Sequence, residues 1–207
     1  MKIAVYGATG NVGSPIVAEA ARRGHSVTAL SRHEPAQPLP DGASWRRGDA
    51  ADLPDVAAVG AAHDAVISAF GPDRTPGGDP AAFTGQFVAF ARALGSSARL
   101  GVVGGAGSLF AAPGVRLVDL EEFPAEYRAE SLAHAGALDA LRTFDELDWF
   151  YLSPAPELGA GERTGGYQVS DETPAGGWIS FEDLAVATVD ELEAPAHRRA
   201  RFTVATR

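Results

Sequence analysis

A chain of 207 residues, 45% of them apolar, has the size of one domain and enough hydrophobic mass for a full core. Its formal net charge of −10 argues against nucleic acid as a main partner, because phosphate binding needs a basic face. With no cysteine, disulfides, thiolate metal sites and a cysteine nucleophile are excluded; the five histidines lack ligand spacing, so no metal site is expected.

Lys2 to Tyr6 reads as a buried strand that runs into Gly7-Ala8-Thr9-Gly10-Asn11-Val12-Gly13, and Ser14 to Arg23 is helix-compatible. A strand, a glycine turn and a helix N-terminus together make a phosphate cradle, since bare backbone approaches a pyrophosphate and the helix end favours its charge. The spacing is G-x-x-G-x-x-G rather than G-x-G-x-x-G. The charged Lys2 and an apolar run of strand length resemble neither a signal peptide nor a membrane span, so a soluble cytoplasmic protein is expected.

Ser26 to Ser31 is a second strand, after the turn signal Arg23-Gly24-His25. In a dinucleotide fold its end meets the adenosine ribose, where a carboxylate selects NAD and an arginine accommodates a 2′-phosphate. Here Ser31-Arg32 stands at that point with no acid before Glu34, so NADP(H) is preferred over NAD(H); the plain alternative makes Arg32 a solvated loop residue. Arg46 and Arg47, near the next strand end, could share the role. His33 to Gly42 is a proline-rich loop, and Ala43 to Gly48 a short strand followed by Asp49-Ala50. Asp49 can bond an adenine amino group or cap the helix at Leu53 to Ala62.

Ala65 to Phe70 is apolar on both faces, as a central parallel strand should be, and breaks at Gly71-Pro72. Small residues at Ala69 and Gly71 would let the coenzyme pass close to the backbone. Asp73 to Pro80 reads as a mobile loop. Phenylalanines at 83, 87 and 90 mark the core stripe of a helix over Ala81 to Leu94. Arg99 to Val103 is a fifth strand ending in Gly104-Gly105-Ala106-Gly107-Ser108. Leu109 to Val118 is a connection, and Pro124 to Phe144 a long helix carrying Tyr127. Trp149 to Leu152 is a sixth strand closed by Ser153-Pro154-Ala155-Pro156. Gly159 to Trp178 suggests a small hairpin or lid, so that a substrate-side lid spans about 155 to 180. A helix over Phe181 to Leu192 with Ser180 as N-cap and a strand at Phe202 to Ala205 complete the chain.

Alternating strands and helices, with no repeat or linker, predict a single α/β domain of the Rossmann type with a doubly wound, mostly parallel sheet. The ligand crevice then lies at the strands' carboxyl ends, where small residues recur.

The segments YGATGNVG, HDAVISAFGP, GVVGGAGSL, DWFYLSPAPELGAGERTGGY, ISFEDLAVATVDELE and RFTVA span nearly the whole chain. With them the chain resembles the atypical short-chain dehydrogenase/reductases with an NmrA-like, NAD(P)H-binding domain. It is similar above all to the compact bacterial NADH-flavin reductases related to biliverdin reductase B. The resemblance implies nucleotide contacts by Gly7 to Gly13, Arg32, Asp49 and Phe70. With the strand-end map it places Ala50, Ala69, Gly71 and Gly105 at the coenzyme and Pro154 and Arg163 at the substrate. It leaves the substrate open, since that family holds reductases, sugar modifiers and silent redox sensors.

In ordinary short-chain dehydrogenases a serine, a tyrosine and a lysine four residues later carry the acid–base work. Ser108 and Tyr127 are the counterparts of the first two, but Ser131 stands where the lysine should, and Lys2 is the only lysine of the chain. An unassisted phenol has a pKa of about 10 and donates a proton far better than it accepts one. This favours hydride transfer to an acceptor needing little acid–base help, such as a flavin (FMN or FAD) or a quinone, with the coenzyme supplying the hydride. A non-catalytic NADP(H) sensor and a biosynthetic ketoreductase, dehydratase or epimerase are the competing readings. His134, on the helical face of Ser131, is expected to be solvated or capped, with tuning of the phenol as the alternative. Arg163 could bind an anionic substrate or lie at the surface. A homodimer is compatible with helices flanking such a sheet.

Overall fold

Short apolar runs that are buried on both faces form the centre of the molecule. The computed structural model describes residues 1–72 and 79–207. In chain order these carry β1 (Lys2–Tyr6), α1 (Gly13–Arg22), β2 (Ser26–Ser31), β3 (Ala43–Arg47), α2 (Leu53–Ala62), β4 (Ala65–Ser68), α3 (Pro80–Leu94) and β5 (Arg99–Val103). Then come a hairpin of β6 (Phe110–Ala112) and β7 (Val115–Arg116), α4 (Ala125–Leu141), β8 (Trp149–Ser153) and β9 (Glu157–Gly159). β10 (Tyr167–Ser170), β11 (Trp178–Ser180), α5 (Phe181–Glu193) and β12 (Ala200–Thr206) follow.

Eight strands form one sheet in the order β10-β12-β8-β5-β4-β1-β2-β3. Every pairing is parallel except β10 against β12. The chain winds outward from β1 to β3, then returns to the other side of β1 with β4, so the crevice opens above β1 and β4. Alternate side chains of each strand feed two cores. Ile3, Val5, Ile67 and Leu152 pack with Ile16, Val17 and Leu184 under α1 and α5. Ala4, Tyr6, Val66 and Tyr151 pack with Val56, Phe87, Phe90 and Leu138 under α2, α3 and α4. All of β4 and β8 is buried, which only continuous apolar sequence tolerates, whereas the edge strand β3 is largely exposed and carries Arg46 and Arg47. The stripe of Phe83, Phe87 and Phe90 is core, as its spacing requires.

Helix starts follow from local chemistry. Asp52 accepts from the Asp55 amide at 3.3 Å, Asp79 from Ala81 at 2.9 Å ahead of Pro80, and Ser180 from Asp183 at 3.0 Å. Asp52, not Asp49, therefore caps α2. Of the loop expected over Asp73 to Pro80, residues 73–78 lie outside the described residues, and Asp79 and Pro80 begin α3.

Three expectations change. The connection over Leu109 to Val118 contains the β6–β7 hairpin, bounded by 3-10 turns at Ala106–Ser108 and Leu117–Asp119. The stretch from Gly159 to Trp178 is no self-contained hairpin: β10 joins the main sheet antiparallel to β12, while β9 and β11 pair parallel with each other. β12 runs from Ala200 to Thr206, three strand positions longer than its apolar stretch suggests, because its flanks are covered by β8 and β10. Among the described residues no helix is long and apolar enough to cross a membrane.

Candidate functional site: a coenzyme crevice at the strand ends

The glycine turn between β1 and α1 is shaped by steric necessity at two of its three glycines. Gly7 has φ +79°, and a methyl group on it would lie 2.5 Å from the Ala69 carbonyl oxygen at the end of β4. One on Gly13 would lie 2.1 Å from the Gly7 carbonyl oxygen. Gly10 has more room, at 3.3 Å from the same oxygen. The turn is thus folded on itself and pressed against β4, with its amides pinned by Gly7 N–H and Ala8 N–H to the Leu30 carbonyl (3.1 and 3.2 Å). α1 begins after Val12 with no side-chain cap and no acidic residue in its first turn, and Thr9, Gly10 and Asn11 are exposed beside it. An open helix N-terminus fits the pyrophosphate of a dinucleotide, offering amide donors and the positive end of the helix dipole.

On the adenosine side β2 and β3 end in register, Ser31 opposite Arg47. The Ser31 hydroxyl donates to the His33 carbonyl (2.7 Å) and accepts from the Trp45 indole (2.9 Å), which fixes the end of β2. Arg32 follows directly and is exposed, as is Arg47. Arg46 is held in a two-pronged pair by Asp55 at 2.8 and 3.1 Å. So of the three arginines expected near the ribose, Arg32 and Arg47 have no carboxylate partner among the described residues. Asp49 is exposed; one of its oxygens accepts the Ala51 amide at 3.0 Å, while Ala50 is buried beside it. Beneath them lies the phenol of Tyr6, which burial, assisted by Asp55, pushes well above its ordinary value.

On the other side of the switch point, Ala69 and Phe70 are half-buried and Gly71 is exposed. The Phe70 ring packs edge-on against Phe90 at 5.3 Å and Phe83 at 6.1 Å. Gly104 and Gly105 follow β5, and Pro154, after β8, is buried. A side chain on Gly104 would fall 1.9 Å from the Tyr151 hydroxyl oxygen. That phenol, raised well above its ordinary value by burial, donates to the His134 carbonyl at 3.0 Å and ties α4 to β8.

The two candidate catalytic residues are not linked by any described hydrogen bond. Ser108 is turned into the protein, where its hydroxyl accepts from Arg201 at 3.3 Å. The Arg201 guanidinium is fully buried and also pairs with Glu172. Tyr127 sits in the first turn of α4 with 57% of its surface exposed. Ser131 packs against Gly107, whose added methyl would meet the Ser131 Cβ at 2.5 Å.

His134 departs from expectation: it is neither solvated nor a cap, but 8% exposed on the inner face of α4, with its ring 5.4 Å from that of Phe83. Its burial was hidden because α4 alternates small and polar residues and shows no apolar stripe. Arg163 likewise finds an internal partner, donating to both oxygens of Glu19 on α1 at 2.8 and 2.9 Å. Glu19 also accepts from Arg22 and Arg23. Burial would raise its carboxyl, but the arginines outweigh it and hold the group well below the usual carboxylate range. Nothing in the sequence marks Glu19, Tyr151 or Arg201 as buried, because Arg163, the His134 carbonyl and Ser108, which cover them, stand 144, 17 and 93 positions away.

Comparison with known proteins agrees with this layout. A family model described as NAD(P)H-binding matches residues 7–195. The uncharacterised protein YwnB of Bacillus subtilis is 39% identical, over 99% of this chain and 98% of its own. Among solved structures, SP1627 of Streptococcus pneumoniae, which carries the name NADH-flavin reductase, is 35% identical over 100% of both chains with a TM-score of 0.88. A Burkholderia pseudomallei protein that carries the name exported protein is 41% identical over 99% of both chains, with a TM-score of 0.84. With nearly its whole length matched in sequence and in three dimensions, the chain belongs to the NAD(P)H-binding family of NmrA-like, Rossmann-type proteins.

Proposed function

We propose that the protein is an NADPH-dependent oxidoreductase that reduces a small conjugated acceptor of the flavin or quinone type. The coarser statement, an NAD(P)H-dependent reductase, rests on the family and on the kinship with SP1627. The observation that carries the finer one is a contrast along a single crevice. One end holds an uncapped helix N-terminus and two arginines that have no carboxylate partner among the described residues, and the other lacks any lysine to assist a tyrosine. The turn from Gly7 to Gly13 holds the pyrophosphate, through those of its amides that the Leu30 and Gly7 carbonyls do not engage. Arg32 and Arg47 take the 2′-phosphate, Asp49 the adenine amino group, and Ala69 to Gly71 and Gly105 line the path to the nicotinamide. The bound coenzyme supplies the hydride; the chain orients it and keeps water away with Phe70 and Pro154.

A charge-assisted hydrogen bond to phosphate is worth about 1.5–3 kcal/mol, so Arg32→Ala should weaken NADPH binding by roughly 10- to 100-fold and leave NADH nearly unchanged. Titration of both coenzymes against both proteins checks this; equal losses for NADPH and NADH would remove the 2′-phosphate role. Oxidation of NADPH with FMN and a set of quinones tests turnover. The sheltered Ser108 and the exposed Tyr127 favour a non-catalytic coenzyme sensor as the second reading, and tight binding without turnover would select it.

A further inference from the structure

Nearly every cationic side chain of this acidic protein is engaged. Among the described residues only Arg32, Arg47 and Arg92 are arginines that make no hydrogen bond or ion pair. Of the histidines, His25, His63 and His197 are hydrogen-bonded through their rings and His134 is buried. His33 alone is exposed with an imidazole that meets no partner among the described residues. Arg92 stands apart in the last turn of α3, but Arg32, His33 and Arg47 come together where β2 and β3 end. We propose that His33 is a specificity-determining residue: its imidazolium joins Arg32 and Arg47 on the 2′-phosphate of NADP(H), so that preference over NAD(H) falls as pH rises. This rests on the NADPH reading above.

Two features of the backbone set this corner. Side chains alternate across a strand, so β3 sends its two arginines to opposite faces. Arg46 shares a face with its ladder neighbours Leu30 and Tyr6, where Asp55 neutralises it. Arg47 shares the other face, that of α1, with Trp45 and, across the ladder, with Ser31. Ser31 then draws the chain back. Its hydroxyl donates to the His33 carbonyl at 2.7 Å and accepts from the Trp45 indole at 2.9 Å, and the chain bends at Arg32 and His33. The bend keeps His33 at the strand end, ahead of the proline-rich stretch that begins at Pro35.

The charged groups on the elements flanking His33 are few. Its own segment carries Arg32 and Glu34, and β3 carries Arg47 with the Arg46–Asp55 pair on its far face. After β3 comes Asp49, one oxygen of which accepts the Ala51 amide. Glu34 makes no ion pair among the described residues, and the cradle residues Thr9, Gly10 and Asn11 are uncharged.

An imidazole is the one side chain whose charge ordinarily changes between about pH 5 and pH 8, and a neighbouring phosphate dianion stabilises its charged form. Binding of NADP⁺ therefore takes up a proton, whereas NAD⁺, with a hydroxyl in place of the phosphate, takes up none. At the acid end of that range the imidazolium is present and its pairing with the phosphate complete. As pH rises the charge is lost, and the pairing with it.

Calorimetric titration of wild type, His33→Asn and His33→Arg with NADP⁺ and NAD⁺, from about pH 6.5 to about pH 8.5, tests this. The 2′-phosphate is mostly a dianion across that window, since its last proton leaves at about pH 6. In wild type the ratio of the NAD⁺ Kd to the NADP⁺ Kd should fall about two- to threefold from the acid to the alkaline end, the size of one exposed charge pair. His33→Asn should start lower by that factor and stay level. His33→Arg, whose charge does not titrate, should stay level at or above the wild-type value of the acid end. Because the ring is exposed and its only hydrogen bond is through the backbone, all three proteins should share one Tm. A wild-type ratio that stays level above one, or a fall that persists in His33→Asn, overturns the role of His33 and leaves the NADPH reading standing. A wild type that binds NAD⁺ as tightly as NADP⁺ at every pH sinks the NADPH reading, and the role of His33 with it.

Discussion

Replacing Glu19 by glutamine removes one negative charge from a site where it is almost wholly sheltered. The carboxylate, 4% exposed, accepts five hydrogen bonds at 2.7 to 2.9 Å, two from Arg22, one from Arg23 and two from Arg163. Breaking a buried ion pair from one side typically costs about 3–5 kcal/mol. Two features lower that here. Arg22 and Arg163 are 54% and 39% exposed, so water can take over much of their solvation, and Arg23 keeps Asp190 and Glu193 at 2.6 and 2.7 Å. A loss of about 2–3 kcal/mol follows, which in a domain of this length lowers Tm by about 5–10 °C. The pH dependence has a definite sign. Because the folded carboxyl is held below its unfolded value of about 4.3, its contribution is complete above that pH and fades as pH falls. Calorimetry of wild type and Glu19→Gln at pH 7 and at stepwise lower pH checks both parts. A Tm difference within about 1 °C at pH 7, or one that fails to shrink below about pH 4, would refute the reasoning.

The glycines of the turn should respond unequally. Gly13→Ala, with its methyl 2.1 Å from the Gly7 carbonyl, should abolish NADPH binding or folding, whereas Gly10→Ala at 3.3 Å should cost affinity only; coenzyme titration beside a melting curve separates them. Arg163→Ala removes a half-exposed partner of Glu19 and should cost about 1 kcal/mol. If Arg163 also binds anionic substrate, KM should rise for FMN and stay fixed for a neutral quinone, which steady-state kinetics reads directly. Tyr127→Phe should leave Tm unchanged, because an exposed hydroxyl stabilises little. Any fall in turnover then belongs to the phenol, and unchanged turnover with every accepted substrate removes it from the chemistry.

How much of this could be read along the chain depends on how far apart the interacting residues stand. The strand–glycine turn–helix unit, the register of apolar strands and the core stripe of Phe83, Phe87 and Phe90 all rest on neighbours a few residues away, where period and turn chemistry are decisive. From them follow the doubly wound sheet and the edge along which the nucleotide lies. What stands across the crevice depends on pairings separated by tens of residues. Arg163 meets Glu19 across 144 positions, Ser108 meets Arg201 across 93, and β10 finds its place only against β12. None of these leaves a local trace, because a solvated arginine and a sequestered one look alike until the sheet closes. His134 shows the division most plainly. The sequence by itself determined that a histidine lies on this helix. Only the tertiary structure, by setting Gly71, Gly105 and Phe83 against its ring, decided that it is buried.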